Sequence, residues 1–299
     1  MPTSQGAIRL FRFAGIDVFL HWSWFLVALY ELQRAHAYSS PVWNIAEYLA
    51  LFAIVTLHEF GHSLACRQVG GNAERIVLWP LGGVAYVDPP QRPGATLWSI
   101  AAGPLVNVAL VPVLYGLMLV GGSAGLAETS PDASTWLGMV FTINVVLLVF
   151  NLLPVYPLDG GQILRSLLWY VLGRARSLTA ASVIGFVGVL GLLAIAFRVG
   201  DTWLGILAVF VAMNCWQGFK HSRALSRLAS LPRRTGYSCP SCRQEPPLGA
   251  FWACGPCGTP FDLFETGARC PSCRADFGEA RCVDCGRSTP FGDWLRPGA

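Results

Sequence analysis

The stretch Leu57-His58-Glu59-Phe60-Gly61-His62-Ser63 decides how this chain is read. Two of the five histidines stand four residues apart around a glutamate. On a helix, positions i and i+4 share a face, so both imidazoles can hold one zinc while the carboxylate beside them moves protons. Just upstream, Ile45 to Leu57 is a largely apolar run, already most of a membrane span. At about 1.5 Å per residue, His58 lies roughly 20 Å along a helix begun at Ile45, inside a hydrocarbon core of about 30 Å. Ionisable side chains at such depth are costly and mark function.

Composition sets the class. Hydrophobic residues make up 54% of the 299 and charged residues 13%, with a mean hydropathy of +0.49. A soluble domain has about 25% charged residues. The expected fold is an all-α polytopic membrane protein with a short β-hairpin at the membrane and a small zinc-ribbon domain. About six transmembrane helices are expected, at Ile16–Leu32, Asn44–Arg67, Ala95–Val120, Thr135–Leu153, Leu178–Phe197 and Thr202–Cys215. Gly160 to Leu172 is apolar but short, and reads as interfacial or buried. The opening segment, with Arg9 and Arg12, leads into a span and not into a cleavable signal.

Basic residues orient the spans. One set of connections holds Arg9, Arg12, Arg67, Arg75, Arg92, Arg165, Arg174, Arg176, Lys220, Arg223, Arg227, Arg233 and Arg234; the alternate set holds Arg34 and Arg198. The positive-inside rule then puts both termini in the cytoplasm. The net charge of +4 follows from this bias, which makes a nucleic-acid partner unlikely. Three segments are expected: a membrane domain at 1–216, a basic surface helix and linker at 217–234, and a cysteine-rich cytosolic domain at 235–299.

A catalytic zinc needs a third protein ligand and an open position for water. Asp159, in Leu152-Leu153-Pro154-Val155-Tyr156-Pro157-Leu158-Asp159-Gly160-Gly161, follows a span that runs in the same direction as the one bearing His58 and His62. Pro154 and Pro157 end that helix, and the paired glycines let the chain turn back into apolar surroundings. Asp159 reads either as the third ligand or as the cap of the next helix. Asp17 and Asp88 are rival ligands on the same face. Arg75 to Val87 reads as two short strands around Pro80 and Gly82-Gly83. Such a hairpin either pairs with an unwound substrate by β-augmentation, through Gly82, Gly83 and Val84, or plugs the mouth of the site. His21 reads as a packed, hydrogen-bonded histidine.

His-Glu-Phe-Gly-His in one span, Gly103-Pro104-Leu105-Val106-Asn107 in a later one and Pro157-Leu158-Asp159-Gly160-Gly161-Gln162 after another resemble the site-2 protease family of intramembrane zinc metalloproteases. The stretches Gly15–Leu26 and Pro80–Ala85 are similar to that family's first span and its hairpin. The resemblance covers roughly residues 8–225. It implies His58, His62 and Asp159 as zinc ligands, Glu59 as catalytic base, transmembrane helices of other proteins as substrates, and a prokaryotic inner-membrane location in contact with lipid. It also makes Asn107 a candidate for holding the substrate backbone. Hydrogen bonding between helices is the other reading of Asn107, and the favoured one for Asn144.

Eight of the ten cysteines form four Cys-x-x-Cys pairs. Cys-Pro-Ser-Cys-Arg, then Cys-x-x-Cys-Gly, then Thr-Pro-Phe occurs twice. The repeat argues for sequential pairing: Cys239, Cys242, Cys254 and Cys257 around one structural zinc, Cys270, Cys273, Cys282 and Cys285 around a second. A cross-braced pairing remains open. The tail resembles a double zinc ribbon, should fold only with metal, and could dock a cytosolic partner. The expected cofactor content is thus about three zincs, one catalytic and two structural. Two other functions use the same residues: a non-catalytic membrane metal sensor or adaptor, and a metal transporter. A transporter should show ligands at several depths or paired broken helices.

Overall fold

Two strands open the chain, β1 (Ala7–Phe13) and β2 (Ile16–His21), followed by helix α1 (Pro41–Gln68) and strands β3 (Asn72–Trp79) and β4 (Gly82–Asp88). Helices α2 (Pro93–Ser123), the one-turn α3 (Leu126–Thr129), α4 (Pro131–Leu152), α5 (Asp159–Val199) and α6 (Thr202–Ala229) complete the apolar part. The computed structural model describes residues 6–26, 29, 38–79, 82–200 and 202–295. It divides into two units, Met1–Phe219 and Lys220–Ala299, described separately below.

Among the described residues, α1, α2, α4 and α5 are long and apolar enough to cross a membrane. Three of them begin with proline at the first helical positions, at Pro41, Pro93 and Pro131, where its missing N–H costs nothing. Two of the six expected spans are not among these four described helices. Ile16 to His21 is a strand: Ile16 and Val18 are buried while Asp17 is partly exposed and pairs with Arg9 at 2.7 Å. That period of two lies hidden within an apolar run. The rest of that expected span, beyond Leu26, falls almost entirely outside the described residues, as do Arg34 and Pro80. The last expected span, Thr202–Cys215, is only the first half of α6, which continues without a break through the basic stretch to Ala229.

The long helix α5 is interrupted at Gly173 (φ 76°, ψ 172°). The apolar stretch Gly160–Leu172, read as separate from the span beyond it, is the part before that break.

The hairpin expected near Gly82-Gly83 belongs to a larger sheet of order β1-β2-β3-β4, so the fold is not all-α. Strands β1 and β2 are antiparallel around Ala14 and Gly15, both at positive φ, which is the backbone of a tight two-residue hairpin turn. Strand β2 runs parallel to β3, and β3 antiparallel to β4, with Val77 opposite Val84. Arg67, in the last turn of α1, locks this arrangement. Its guanidinium donates to the carbonyls of Ala14, Gly15 and Ala73, tying the first turn and the start of β3 to the helix. Ile16, Val18, Ile76 and Leu78 of the sheet bury against Val55 and Phe60 of α1, so β4 comes to lie alongside the helix that carries the histidines.

Candidate metal centre

Helix α1 presents His58 and His62 on one buried face, as four-residue spacing requires. Their Nε2 atoms lie 3.1 Å apart. The Oδ2 of Asp159, in the first turn of α5, lies 3.0 Å from the first and 3.4 Å from the second. Three donors around a tetrahedral zinc at about 2.0–2.1 Å stand about 3.3–3.4 Å apart. The three atoms thus trace one face of such a site, and these residues fit the metal.

Glycines make the convergence possible. A Cβ on Gly103 of α2 would fall 2.3 Å from His62 Nε2 and 2.8 Å from His58 Nε2. A Cβ on Gly160 would fall 2.3 Å from the carbonyl oxygen of Leu152, and one on Gly161 2.4 Å from the nitrogen of Tyr156. Neither of the paired glycines has a positive φ. They serve close approach of α5 to the end of α4, and not the turning freedom expected of them.

Each imidazole is oriented from behind. Nδ1 of His62 lies 2.9 Å from the carbonyl of Ser99, and Nδ1 of His58 lies 2.6 Å from Oδ1 of Asn107. Both partners accept, so both rings donate from Nδ1, which leaves Nε2, on the side of Asp159, as the nitrogen available to a metal. Asn107 is fully buried and its amide is spent on His58 and Asn144. These bonds join α1, α2 and α4 through Asn107, the interhelical role that was its other reading.

Glu59 is buried, and its carboxylate also comes within 4.8 Å of the imidazole nitrogens. Its Oε2 accepts from the amide of Ala85 at 2.9 Å. The Asp159 oxygen lies 3.0 and 3.4 Å from the two rings, while one oxygen of Glu59 is engaged by the Ala85 amide of β4. A Cβ on Gly83 would fall 2.2 Å from Glu59 Cγ. Gly82, Gly83 and Val84 thus lie on the terminal strand of the sheet, with Gly83 against the glutamate. The contact of β4 with Glu59 had no sequence signal beyond the paired glycines. The rival ligands lie elsewhere: Asp17 pairs with Arg9, and Asp88 ends β4 opposite Asn72. His21 stacks on Trp79 at 3.8 Å, with Ser23 Oγ 2.5 Å from its Nδ1.

Two family-model matches, to residues 46–129 and 119–195, are to Peptidase family M50. The chain belongs to that family, the site-2 proteases. A solved Site-2 Protease from Methanocaldococcus jannaschii matches at 29% identity and a TM-score of 0.52, covering 71% of this chain and 95% of that one. A zinc metalloprotease of the same organism is 34% identical over 60% of this chain and 50% of its own length. A Mycobacterium tuberculosis relative, Rip3, is 30% identical over 69% of this chain and 57% of its own. This chain therefore spans about half the length of these two relatives.

The second unit holds two further metal-type clusters, built from four knuckles of one design. In each, the amide of the first cysteine bonds the carbonyl five residues on, and the residue after the second cysteine donates back to the first cysteine's carbonyl. That last residue, Arg243, Gly258, Arg274 or Gly286, is left-handed in every case. Cys239, Cys242, Cys282 and Cys285 gather in one cluster and Cys254, Cys257, Cys270 and Cys273 in the other. The pairing is nested, neither sequential nor cross-braced. Cross-pair sulfur distances of 3.4–3.8 Å match the roughly 3.8 Å edge of a tetrahedral zinc–thiolate site. Each cluster still takes one Cys-Pro-Ser-Cys knuckle and one Cys-x-x-Cys-Gly knuckle, but the copies are exchanged between repeats.

Between the clusters packs a small core of Phe261, Leu263, Phe264 and Trp294. Two ion pairs close the domain: Arg233 to Asp284 at 2.6 Å and Arg234 to Asp262 at 2.8 Å. The Cys242 thiol is drawn down to about 5, first by hydrogen bonding from Cys282 and against the effect of burial. The Cys257 thiol is drawn down to about 6, first by Thr259. Each cluster thus offers a thiolate, the form a metal requires.

Proposed function

We propose that this protein is a zinc endopeptidase that hydrolyses peptide bonds in or near the transmembrane helices of other membrane proteins. One observation carries the reading: two imidazole nitrogens and a carboxylate oxygen converge at 3.0–3.4 Å, beside a second buried carboxylate, within helices apolar enough to span a bilayer. Family membership supports the same chemistry.

His58, His62 and Asp159 would hold the zinc, which when bound acidifies a water and polarises the scissile carbonyl. Glu59 takes the proton of the attacking water and passes it to the leaving amine. The Ala85 amide fixes one of its carboxylate oxygens and leaves the other to carry that proton. Asn107 and Ser99 keep both histidines in the tautomer that binds metal. The edge of β4 lies beside the base, where an unwound stretch of substrate can pair with it through Gly83 and Val84. The basic residues orient the molecule with both termini in the cytoplasm, in contact with anionic lipid headgroups. There the two ribbons, each with a structural zinc, are placed to dock a cytosolic partner.

The test is Glu59→Gln in the full chain, reconstituted with a membrane-spanning reporter. Cleavage should fall to background while zinc content stays at that of the parent. Cleavage by this variant at the parental rate would remove Glu59 as the base.

A further inference from the structure

Asn144 is fully buried in α4, and both ends of its amide are hydrogen-bonded to Asn107. Its Nδ2 donates to the backbone carbonyl of Asn107 at 3.1 Å, and its Oδ1 accepts from Nδ2 of Asn107 at 2.9 Å. The oxygen and nitrogen ends of an amide have nearly the same shape, so packing alone cannot tell one orientation from the other. A backbone carbonyl has no such ambiguity, because it can only accept. From it the roles follow in order. Asn144 must turn its NH2 to that carbonyl, so its oxygen faces away. That oxygen can only accept, so Asn107 must turn its NH2 toward Asn144. The Asn107 oxygen then faces His58 at 2.6 Å and requires the proton on Nδ1. Nε2 of His58, 3.0 Å from Asp159, is then the nitrogen left for a metal.

We infer that Asn144 is a positioning residue for the metal centre: through Asn107 it fixes the tautomer of His58. His62 reaches a backbone carbonyl directly, at Ser99. His58 reaches one only through two amides on two helices. Without Asn144 the Asn107 amide is free to flip and present its NH2 to His58, which moves the ring proton to Nε2 and blocks the ligand position. This inference rests on the zinc reading above, toward which it assigns one more residue of this chain.

The test is a double-mutant cycle on the detergent-solubilised full chain. Zinc is counted through a graded chelator series. Zinc freed by a thiol-specific mercurial is subtracted, which leaves the histidine- and carboxylate-bound metal. Asn144→Ala should weaken that site about tenfold or more, the usual effect of losing an outer partner of a ligand. Asn107→Asp has two equivalent oxygens and nothing to flip. In that background Asn144→Ala should change retention by no more than about twofold, while the melting temperature still falls with the lost packing. If Asn144→Ala does not fold, Asn144→Leu fills the volume and takes its place in the cycle. Parental retention in Asn144→Ala, or a loss that persists undiminished in the Asn107→Asp background, overturns the relay. A parent chain with no zinc beyond its thiolate-bound metal overturns instead the reading of the centre itself.

Discussion

Gly103→Ala is the smallest change that should empty the centre. The added carbon would sit 2.3 Å from His62 Nε2, 2.4 Å from its Cε1 and 2.8 Å from His58 Nε2. Van der Waals contact needs about 3.5 Å, so both rings must retreat by roughly 1 Å. They have little room to do so, since Asn107 and Ser99 hold them from behind. A displacement of that size is worth about 100-fold in rate, near 2.7 kcal/mol, and disturbed ligand orientation costs about 10- to 100-fold in metal affinity. The backbone pulls the other way: alanine favours a helix interior over glycine by about 1 kcal/mol.

Stability and function should therefore part company. The metal-free variant should melt within a few degrees of the metal-free parent, while the extra stability conferred by zinc is lost. Gly116, in the same helix, is the control, because a Cβ there meets nothing within 4 Å. Gly116→Ala should keep zinc and activity. Zinc retention, melting with and without metal, and cleavage of a spanning reporter read all three effects. A Gly103→Ala protein that keeps its full zinc complement through the chelator series and cleaves at the parental rate refutes the packing argument.

Gly83→Ala should displace Glu59 and spare the ligands, lowering the cleavage rate by about 100-fold with zinc content unchanged; loss of zinc in this variant counts against the separation of roles. Cys239→Ser should expose Cys242, Cys282 and Cys285 to alkylation and leave Cys254, Cys257, Cys270 and Cys273 protected. Sequential pairing predicts instead that Cys254 and Cys257 become reactive, which mass spectrometry of the labelled peptides distinguishes. Arg274→Gly should stabilise the ribbon unit by about 1 kcal/mol, because Arg274 stands at φ 61°, where a side chain is strained; an unchanged melting temperature would show the strain relieved elsewhere.

What the sequence disclosed depended on how local the information was. The His58–His62 spacing needs only one helix, so it could be read directly. Asp159 was reachable because α1 and α4 run the same way and the carboxylate follows a helix end. The strand at Ile16–His21 was not, because its alternation lies inside a run whose mean hydropathy equals that of a span. The nested thiolate pairing was invisible for a different reason: a repeat specifies which kinds of knuckle combine, and either copy satisfies it equally well. Asn107 and Asn144 stood out as polar residues in apolar helices, but their donor and acceptor ends acquire meaning only once the carbonyl between them is located.

The centre is held by two independent supports. Helices α2 and α4 govern the imidazoles, through Gly103, Ser99 and the two asparagines. The sheet governs the base, through Gly83 and the Ala85 amide. A substrate strand added to β4 would therefore act on the same edge that holds Glu59, while the ligands, fixed from the opposite side, keep their places. On the proposed function, this geometry couples substrate binding to the posture of Glu59 and leaves possession of the metal independent of it. That is why Gly83→Ala and Gly103→Ala, each one carbon, should fail in different ways.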